Sequence, residues 1–339
     1  MRVLHLVCSD RFAGVERHVA LLAAAQRDAG ATVAVIGGDE VSMRRDIGAG
    51  VVFRPTGGLL QTVGTARPFV PGADIVHVHM TASEVAGVIA ALGTTAAVVT
   101  TRHFAAARGS TPVNRWVGRR AAARIDAQIA VSAYAARYVE GASTVVYAGV
   151  ANREPVDPRR RQRTVLVAQR LESEKRTGVA LEAFAASGLA QDGWRLVIAG
   201  SGSLRSALER KAARLGIAGT TRFLGHAGDV QQLMATAGLL LAPRPDEAYG
   251  LSVVEAMAVG LPVVAAAGGG HLETVGAVGG TGLFPPDDVR SAASALRVLA
   301  ADSAGRAAYG EQLRAAQRER FTLEAQQRDT DAVYREVRG

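Results

Sequence analysis

Short β-branched runs closed by Gly, Ser or Pro alternate along the chain with Ala/Leu/Arg stretches of helical spacing, the pattern of βαβ units on a parallel sheet. The first apolar runs are VLHLV (3–7), TVAVIGG (32–38), VVF (51–53), DIVHVHM (74–80), AAVVTT (96–101), AQIAVS (127–132) and TVVYAG (144–149). They predict one open sheet. Residues 151–163, ANREPVDPRRRQR, interrupt the pattern with two prolines and a run of arginines, as an exposed linker does. A second series follows: TVLVAQR (164–170), RLVIAGSG (195–202), RFLG (222–225), GLLLAPR (238–244) and PVVAAAGG (262–269). Between these runs, the stretch from Leu204 places Leu204, Leu208 and Leu215 on one helical face and charge on the other. From Ala301 onward the spacing is helical and charged, with no strand of its own.

These elements predict two doubly wound, Rossmann-like α/β domains facing each other across a cleft. The expected divisions are 1–155, 156–315 and a C-terminal helix, 316–339, that crosses between the domains and packs back on the first. A length of 339 residues agrees, since it exceeds what one hydrophobic core usually organises. In such sheets the ligand crevice lies at the carboxyl ends of the strands, so residues just after strands are the ones to inspect.

Composition narrows the class. Hydrophobic residues make up 48% of the chain, yet no run approaches the ~18 apolar residues that span a bilayer. Asp10 and Arg11 arrive too early for a secretory signal, so the expected location is the cytoplasm. Cys8, the single cysteine, lies in the first apolar run and is expected to be a buried, inert thiol. The net charge of +8 raises nucleic-acid binding, but the arginines are scattered and aromatics are only 5%, which speaks against a stacking platform for single strands. Only two of the 39 basic residues are lysines, Lys175 and Lys211. A lysine kept in so arginine-biased a chain suggests a need for a compact point charge.

The densest chemical signal is PDEAYGLSVVEAMAVGLPVV (245–264), which follows the run GLLLAPR and opens a helix at Gly250, Leu251 and Ser252. Backbone N–H groups freed at a helix start bind phosphate, and glycine lets a ligand approach the main chain. Glu247 and Glu255 flank that turn. For Glu255 two readings stand: a ligand contact, or an S-x-x-E capping box with Ser252 that needs no ligand. Arg170 and Lys175 in QRLESEKR read either as phosphate ligands or as a solvated helix entry. IAGSGSLR (198–205) fits a dinucleotide fingerprint poorly, because Arg205 takes the place of the third glycine. His77 and His79 alternate on one predicted strand and read as one packed and one edge histidine, with no third metal ligand evident.

The pair Glu247 and Glu255, embedded in EAYGLSVVEAMAVGLPVVA, resembles the E-x7-E element of family-4 retaining glycosyltransferases with the GT-B fold. The resemblance implies that Glu247 lies by the hydroxyls of the donated sugar and that Glu255 accepts the ribose hydroxyls. VLVAQRLESEKR is similar to the family's G-R-L-x-x-x-K segment, with Gln169 at the glycine position, and implies that Arg170 and Lys175 grip the diphosphate. The loop carrying Gly200 and Gly202, and the segment RFLGHAGDV with Gly225 and His226, resemble the elements that line the nucleotide base. FAGVERHV is similar to the family's G-G-x-E-R loop, with Ala13 at the first glycine, and implies that Gly14 offers its N–H to the diphosphate. VVTTRH ends on His103, at the position of the family's T-x-H, which implies a histidine at the donor sugar and, with Glu247, the catalytic pair. GGGHLETV (268–275) resembles the G-G-x-P-E segment, with Leu272 at the proline.

The resemblance implies transfer of a sugar from a UDP-, GDP- or similar nucleotide sugar to an acceptor hydroxyl with retention of configuration. No cofactor is expected. The only Asp-x-Asp spacing, Asp329 and Asp331, falls in the terminal helix, so no metal is expected either and basic side chains would neutralise the diphosphate. A nucleotide-sugar 2-epimerase of the same fold is the alternative enzyme, and a non-catalytic basic protein binding a membrane surface or nucleic acid is the alternative of another class. From Val85 to Ile125 there is no acidic residue, while Arg102, Arg108, Arg115, Arg119, Arg120 and Arg124 surround Trp116. This stretch reads as a solvated arginine-rich helix or as the side that meets an anionic acceptor, saccharide or lipid-linked, at the inner face of a membrane, with Arg108, Arg115, Trp116 and Arg119 as its candidates.

Overall fold

The computed structural model describes residues 1–109, 111–227 and 229–339. The chain forms two compact units, one built from Met1–Gly149 with Thr322–Gly339 and the other from Val150–Phe321. The divisions thus fall after Gly149 and Phe321, rather than after 155 and 315. Gly149 is the reason on the first side: its N–H donates to Gln326 Oε1 at 2.7 Å, and a Cβ there would come within 2.0 Å of the Thr322 carbonyl oxygen. The last helix, Leu323–Arg338, therefore belongs to the first unit, whereas the preceding helix, Ser303–Arg320, belongs to the second.

The first unit holds β1 (Arg2–Val7), β2 (Thr32–Ile36), β3 (Val52–Arg54), β4 (Ile75–His79), β5 (Ala97–Arg102), β6 (Ala127–Ala130) and β7 (Thr144–Val145). All pairings are parallel, in the order β3-β2-β1-β4-β5-β6-β7. Strand order reverses between β1 and β4, which makes that gap the switch point where doubly wound sheets bind ligands. Side chains alternate between faces with period two. Leu4, Leu6, Val76 and Val78 pack on one face, while Val3, Ile75, Val99 and Ile129 pack on the other with Val333 and Tyr334 of the last helix. The register sets His5 against His77 and Val7 against His79, so His5, His77 and His79 share the face that carries Tyr334.

The second unit repeats the plan with β8 (Thr164–Ala168), β9 (Arg195–Ala199), β10 (Thr221–Gly225), β11 (Leu239–Ala242), β12 (Val263–Ala266) and β13 (Leu283–Phe284). The order is β10-β9-β8-β11-β12-β13, again all parallel, with the switch point between β8 and β11. Each run expected as a strand is one; β13 was not anticipated. The expected amphipathic helix spans Arg205–Arg214 with Leu208 buried, and Leu204 and Leu215 cap its two ends instead of lying within it. Cys8 lies one residue beyond β1 and is half-buried, not fully inside as expected. No helix among the described residues is long and apolar enough to cross a membrane.

Candidate active site

In the second unit the loops after β8 and β11 flank the switch point, and the expected donor residues sit on them. Lys175 Nζ donates to Glu247 Oε2 at 2.5 Å, and Arg244 Nη1 lies 3.6 Å from Glu247 Oε1. Burial pushes the Glu247 carboxyl up, but the Lys175 and Arg244 charges outweigh it and hold the group below its ordinary range. Glu247 is therefore an anion in a cationic setting. Gln169, at the family's glycine position, pins the loop: its amide donates to the Lys175 carbonyl at 2.8 Å and to Thr177 Oγ1 at 3.0 Å. Arg170 points outward, exposed, with Glu174 at 2.9 Å.

Behind Glu247 runs the triple glycine Gly268, Gly269 and Gly270. Added Cβ atoms would lie 2.2 Å from Pro245 O, 2.3 Å from Glu247 O and 2.5 Å from Tyr249 Cα, so side chains there would push the glutamate loop away. Gly250 has φ of 91° and is the N-cap of helix Leu251–Ala258, a backbone state that glycine adopts without penalty. Because the helix starts there, Leu251 and Ser252 are its first two residues and carry N–H groups without intrahelical partners. This corrects the capping-box reading: Ser252 lies inside the helix, Glu255 is beyond the first turn and buried, and the box cannot form. His271, unremarked in the sequence, is buried beneath Gly250, with its Nδ1 donating to the Ala266 carbonyl at 3.1 Å.

Gly200 and Gly202 serve the same loop from below. A Cβ at Gly200 would come within 1.8 Å of Gln169 O and one at Gly202 within 2.5 Å of Leu171 O, so both permit the close passage of the Arg170 segment. Gly225 closes β10 beside Arg205, and His226 next to it is exposed.

The first unit's switch point is built of neutral rings. His77 and His79 are both fully buried, which corrects the reading of one packed and one edge histidine, and a third imidazole, His5, stands next to them. His18, from helix Gly14–Asp28, and half-buried His103, just after β5, complete the group; their ring centroids are 4.6 Å apart. One nitrogen each from His5, His77 and His79, and one each from His18, His79 and His103, lie within 4.8 Å of one another, an arrangement of metal-ligand types that the sequence did not disclose. Burial lowers the pKa of every one, to about 4 for His5 and about 3 for His18. Gly14 opens its helix with no atom within 4 Å of where a Cβ would sit. Asp331 of the Asp-x-Asp spacing is a structural acceptor, for Gln26 at 3.1 Å and Gln327 at 2.6 Å.

The chain matches the family model for glycosyl transferases group 1 over residues 151–316 and that for glycosyltransferase family 4 over residues 12–151. It belongs to the family-4 GT-B glycosyltransferases. Exopolysaccharide phosphotransferase SCO2592 of Streptomyces coelicolor is 35% identical over 153 residues, 44% of this chain and 16% of that protein. A GDP-mannose-dependent alpha-(1-6)-phosphatidylinositol dimannoside mannosyltransferase of Mycobacterium tuberculosis is 44% identical over 95 residues, 28% of this chain and 25% of that one. The chain thus spans a quarter or less of the length of these relatives. Anabaena Alr3699/HepE, solved in complex with UDP, superposes with a TM-score of 0.83 at 21% identity over 99% of this chain and 100% of that one, a likeness of fold.

In this family-4 glycosyltransferase the basic stretch of the first unit splits in two. Arg108 is fully buried, with Nε 2.7 Å and Nη2 3.2 Å from Glu84, Nη1 2.6 Å from Glu140 and Nη2 2.5 Å from Gln128. That corrects its assignment to an acceptor or membrane side: it is an internal tie. Arg115, Trp116 and Arg119 are exposed on helix Pro112–Ala122, where Arg120 lies over the Trp116 ring at 5.3 Å. Arg244 and His271 were missed because neither belongs to a spacing that marks a ligand; only their place after β11 and β12, at the strands' carboxyl ends, could have pointed to them.

Proposed function

We propose that this family-4 glycosyltransferase moves a sugar from a nucleoside diphosphate sugar to an acceptor hydroxyl with retention of configuration and without a divalent metal. The observation that carries the reading is the Lys175–Glu247 pair beside the helix that opens at Gly250, at the switch point of the second sheet. Departure of the sugar leaves a diphosphate that gains negative charge. Lys175 and the N–H groups of Leu251 and Ser252 would hold it, with Arg170 turned inward from its contact with Glu174. Glu247, kept ionised by Lys175 and Arg244, would accept hydroxyls of the donated sugar, and Glu255 those of the ribose. His103 would face the donor sugar. HepE is described with UDP-glucose and the mycobacterial relative with GDP-mannose, so these two donors head the panel.

The test incubates the chain with UDP-glucose and GDP-mannose and follows nucleoside diphosphate release, with and without an acceptor extract. We expect one donor to be turned over in excess EDTA, with the sugar emerging in the donor's own anomeric configuration. Inversion, or loss of activity to EDTA with rescue by magnesium or manganese, sinks the corresponding half of the proposal. Release of a free sugar isomer without an acceptor would mark an epimerase.

A further inference from the structure

Three of the five clustered histidines form a line of hydrogen bonds with a direction. Gln26 sets it. Its Nε2 donates to Asp331 Oδ1 at 3.1 Å and to Tyr334 OH at 3.3 Å, so the carboxamide oxygen is the atom turned toward His5. That oxygen is 2.8 Å from His5 Nε2 and can only accept, which puts the proton on His5 Nε2. A neutral imidazole carries one N–H, so His5 Nδ1 is a lone pair and must accept from His79 Nε2, 3.1 Å away. By the same arithmetic His79 Nδ1 is a lone pair, 3.1 Å from His103 Nε2, which must donate. His103 Nδ1 is what remains: an acceptor at the half-buried end of the line.

We propose that Gln26, His5 and His79 are positioning residues that lock His103 in its Nε2–H tautomer, so that its Nδ1 presents a hydrogen-bond acceptor to a hydroxyl of the donor sugar. Burial keeps the rings uncharged at neutral pH, which the proton count requires. A wrong tautomer would turn donor against donor at His103, a buried mismatch rather than a weaker contact. The C-terminal helix, through Asp331 and Tyr334, is thereby tied to the state of a ring on another element. His77 stands outside the line, with Nδ1 at Tyr334 OH, 2.5 Å, and Nε2 at Thr101 Oγ1, 2.7 Å. All six ring nitrogens of His5, His77 and His79 thus have hydrogen-bond partners, and a cation there would have to break them.

The placement of His103 at the sugar rests on the function proposed above; the tautomer does not, and the two are tested apart. In the full-length chain labelled with 15N-histidine, long-range 1H–15N correlations at pH 7.5 are expected to place the proton of His5, His79 and His103 on Nε2. Couplings across the hydrogen bonds should join His103 Nε2 to His79 Nδ1 and His79 Nε2 to His5 Nδ1. A proton on His103 Nδ1, a doubly protonated ring, or a stoichiometric metal in the purified protein overturns the lock. For function, His79→Leu removes the acceptor for His103, whereas the Oδ1 of His79→Asn can stand in for the lost Nδ1. With the nucleotide sugar turned over in the panel above, kcat/KM should fall roughly 10–100-fold in His79→Leu and recover to within a few-fold in His79→Asn, while the nucleoside diphosphate Kd holds in both. If the protons lie as stated and His79→Leu turns over at the wild-type rate, the lock stands and the sugar-side role of His103 falls.

Discussion

The two switch points use one topology for opposite electrostatics. Between β8 and β11 stand paired charges that keep partial access to water: Lys175 and Glu247 have side chains 15% and 20% exposed. Between β1 and β4 stand fully buried imidazoles that must stay neutral. A parallel sheet buried on both faces offers the same backbone at both places; what differs is which side chains the alternation turns inward. Charge suits the place where a diphosphate is to be held. Neutral rings with fixed tautomers suit a place where hydroxyls are to be read, since they donate or accept without attracting an anion.

The sharpest way to separate the two units is acid. The unfolded chain takes up protons at the ordinary histidine pKa near 6.5, whereas His5 in the fold resists until about 4 and His18 until about 3. Below pH 6.5 the unfolded state therefore binds more protons, and stability falls as the pH falls. At pH 5.5 each ring that stays neutral costs the fold on the order of 1 kcal/mol, so the cluster lowers the stability of the first unit by several kcal/mol. In the second unit burial lowers the pKa of a single buried imidazole, His271, and there Glu247 opposes the shift. Calorimetry at pH 7.5 and 5.5 should show the first unit melting well ahead of the second at the lower pH. Transitions that keep their spacing across that range would mean the cluster is already protonated or wet.

How much of this was legible depended on whether the signal was local. The strands were, because β-branched runs and turn residues are read within a few positions. β13 was not, since Leu283–Phe284 is a two-residue strand whose pairing with β12 no pattern that short announces. The two glutamates were visible by spacing, yet the capping-box alternative failed only once Gly250 was found as the N-cap, at φ 91°, with the helix starting at Leu251, one residue before Ser252. Arg108 looked like its exposed neighbours because its burial depends on Glu84, 24 positions away. His5 stands 72 positions from His77, and only the register of β1 on β4 makes them neighbours.

On the charged side the comparison can be broken one residue at a time. Glu247→Ala should lower kcat about 100-fold or more, the scale for losing a group aimed at developing charge, with bare nucleotide binding little changed because it carries no sugar. Near-normal kcat would make Glu247 a mere partner for Lys175. Lys175→Ala should weaken the nucleoside diphosphate by roughly 1.5 to 3 kcal/mol and the nucleoside hardly at all. The lower end is expected, since in the free protein Lys175 already has Glu247 and the diphosphate must compete for it. Equal losses for the two ligands by calorimetry would remove Lys175 from the diphosphate.

The smallest effect belongs to the surface of the first unit. Helix Pro112–Ala122 exposes Val113 and Trp116, at 69% and 56%, with Arg115, Arg119 and Arg120 around them and no acidic residue between 85 and 125. An apolar tip ringed by arginines suits the interface of an anionic bilayer, where each basic residue contributes about 1 kcal/mol and salt screens the attraction within about 10 Å. If an anionic or lipid-linked acceptor is met there, the protein should sediment with vesicles containing acidic phospholipid and not with neutral ones, and should be released by high salt. Arg119→Gln should weaken that partitioning about five-fold, and Trp116→Ala should weaken it while leaving its salt dependence intact. Arg108 is unsuitable as a probe, because its loss would strand the buried Glu84 carboxylate and unfold the helix's support rather than strip charge from the surface. Equal binding to neutral and acidic vesicles, or none to either, would return the helix to a solvated face and leave the acceptor to be recognised elsewhere.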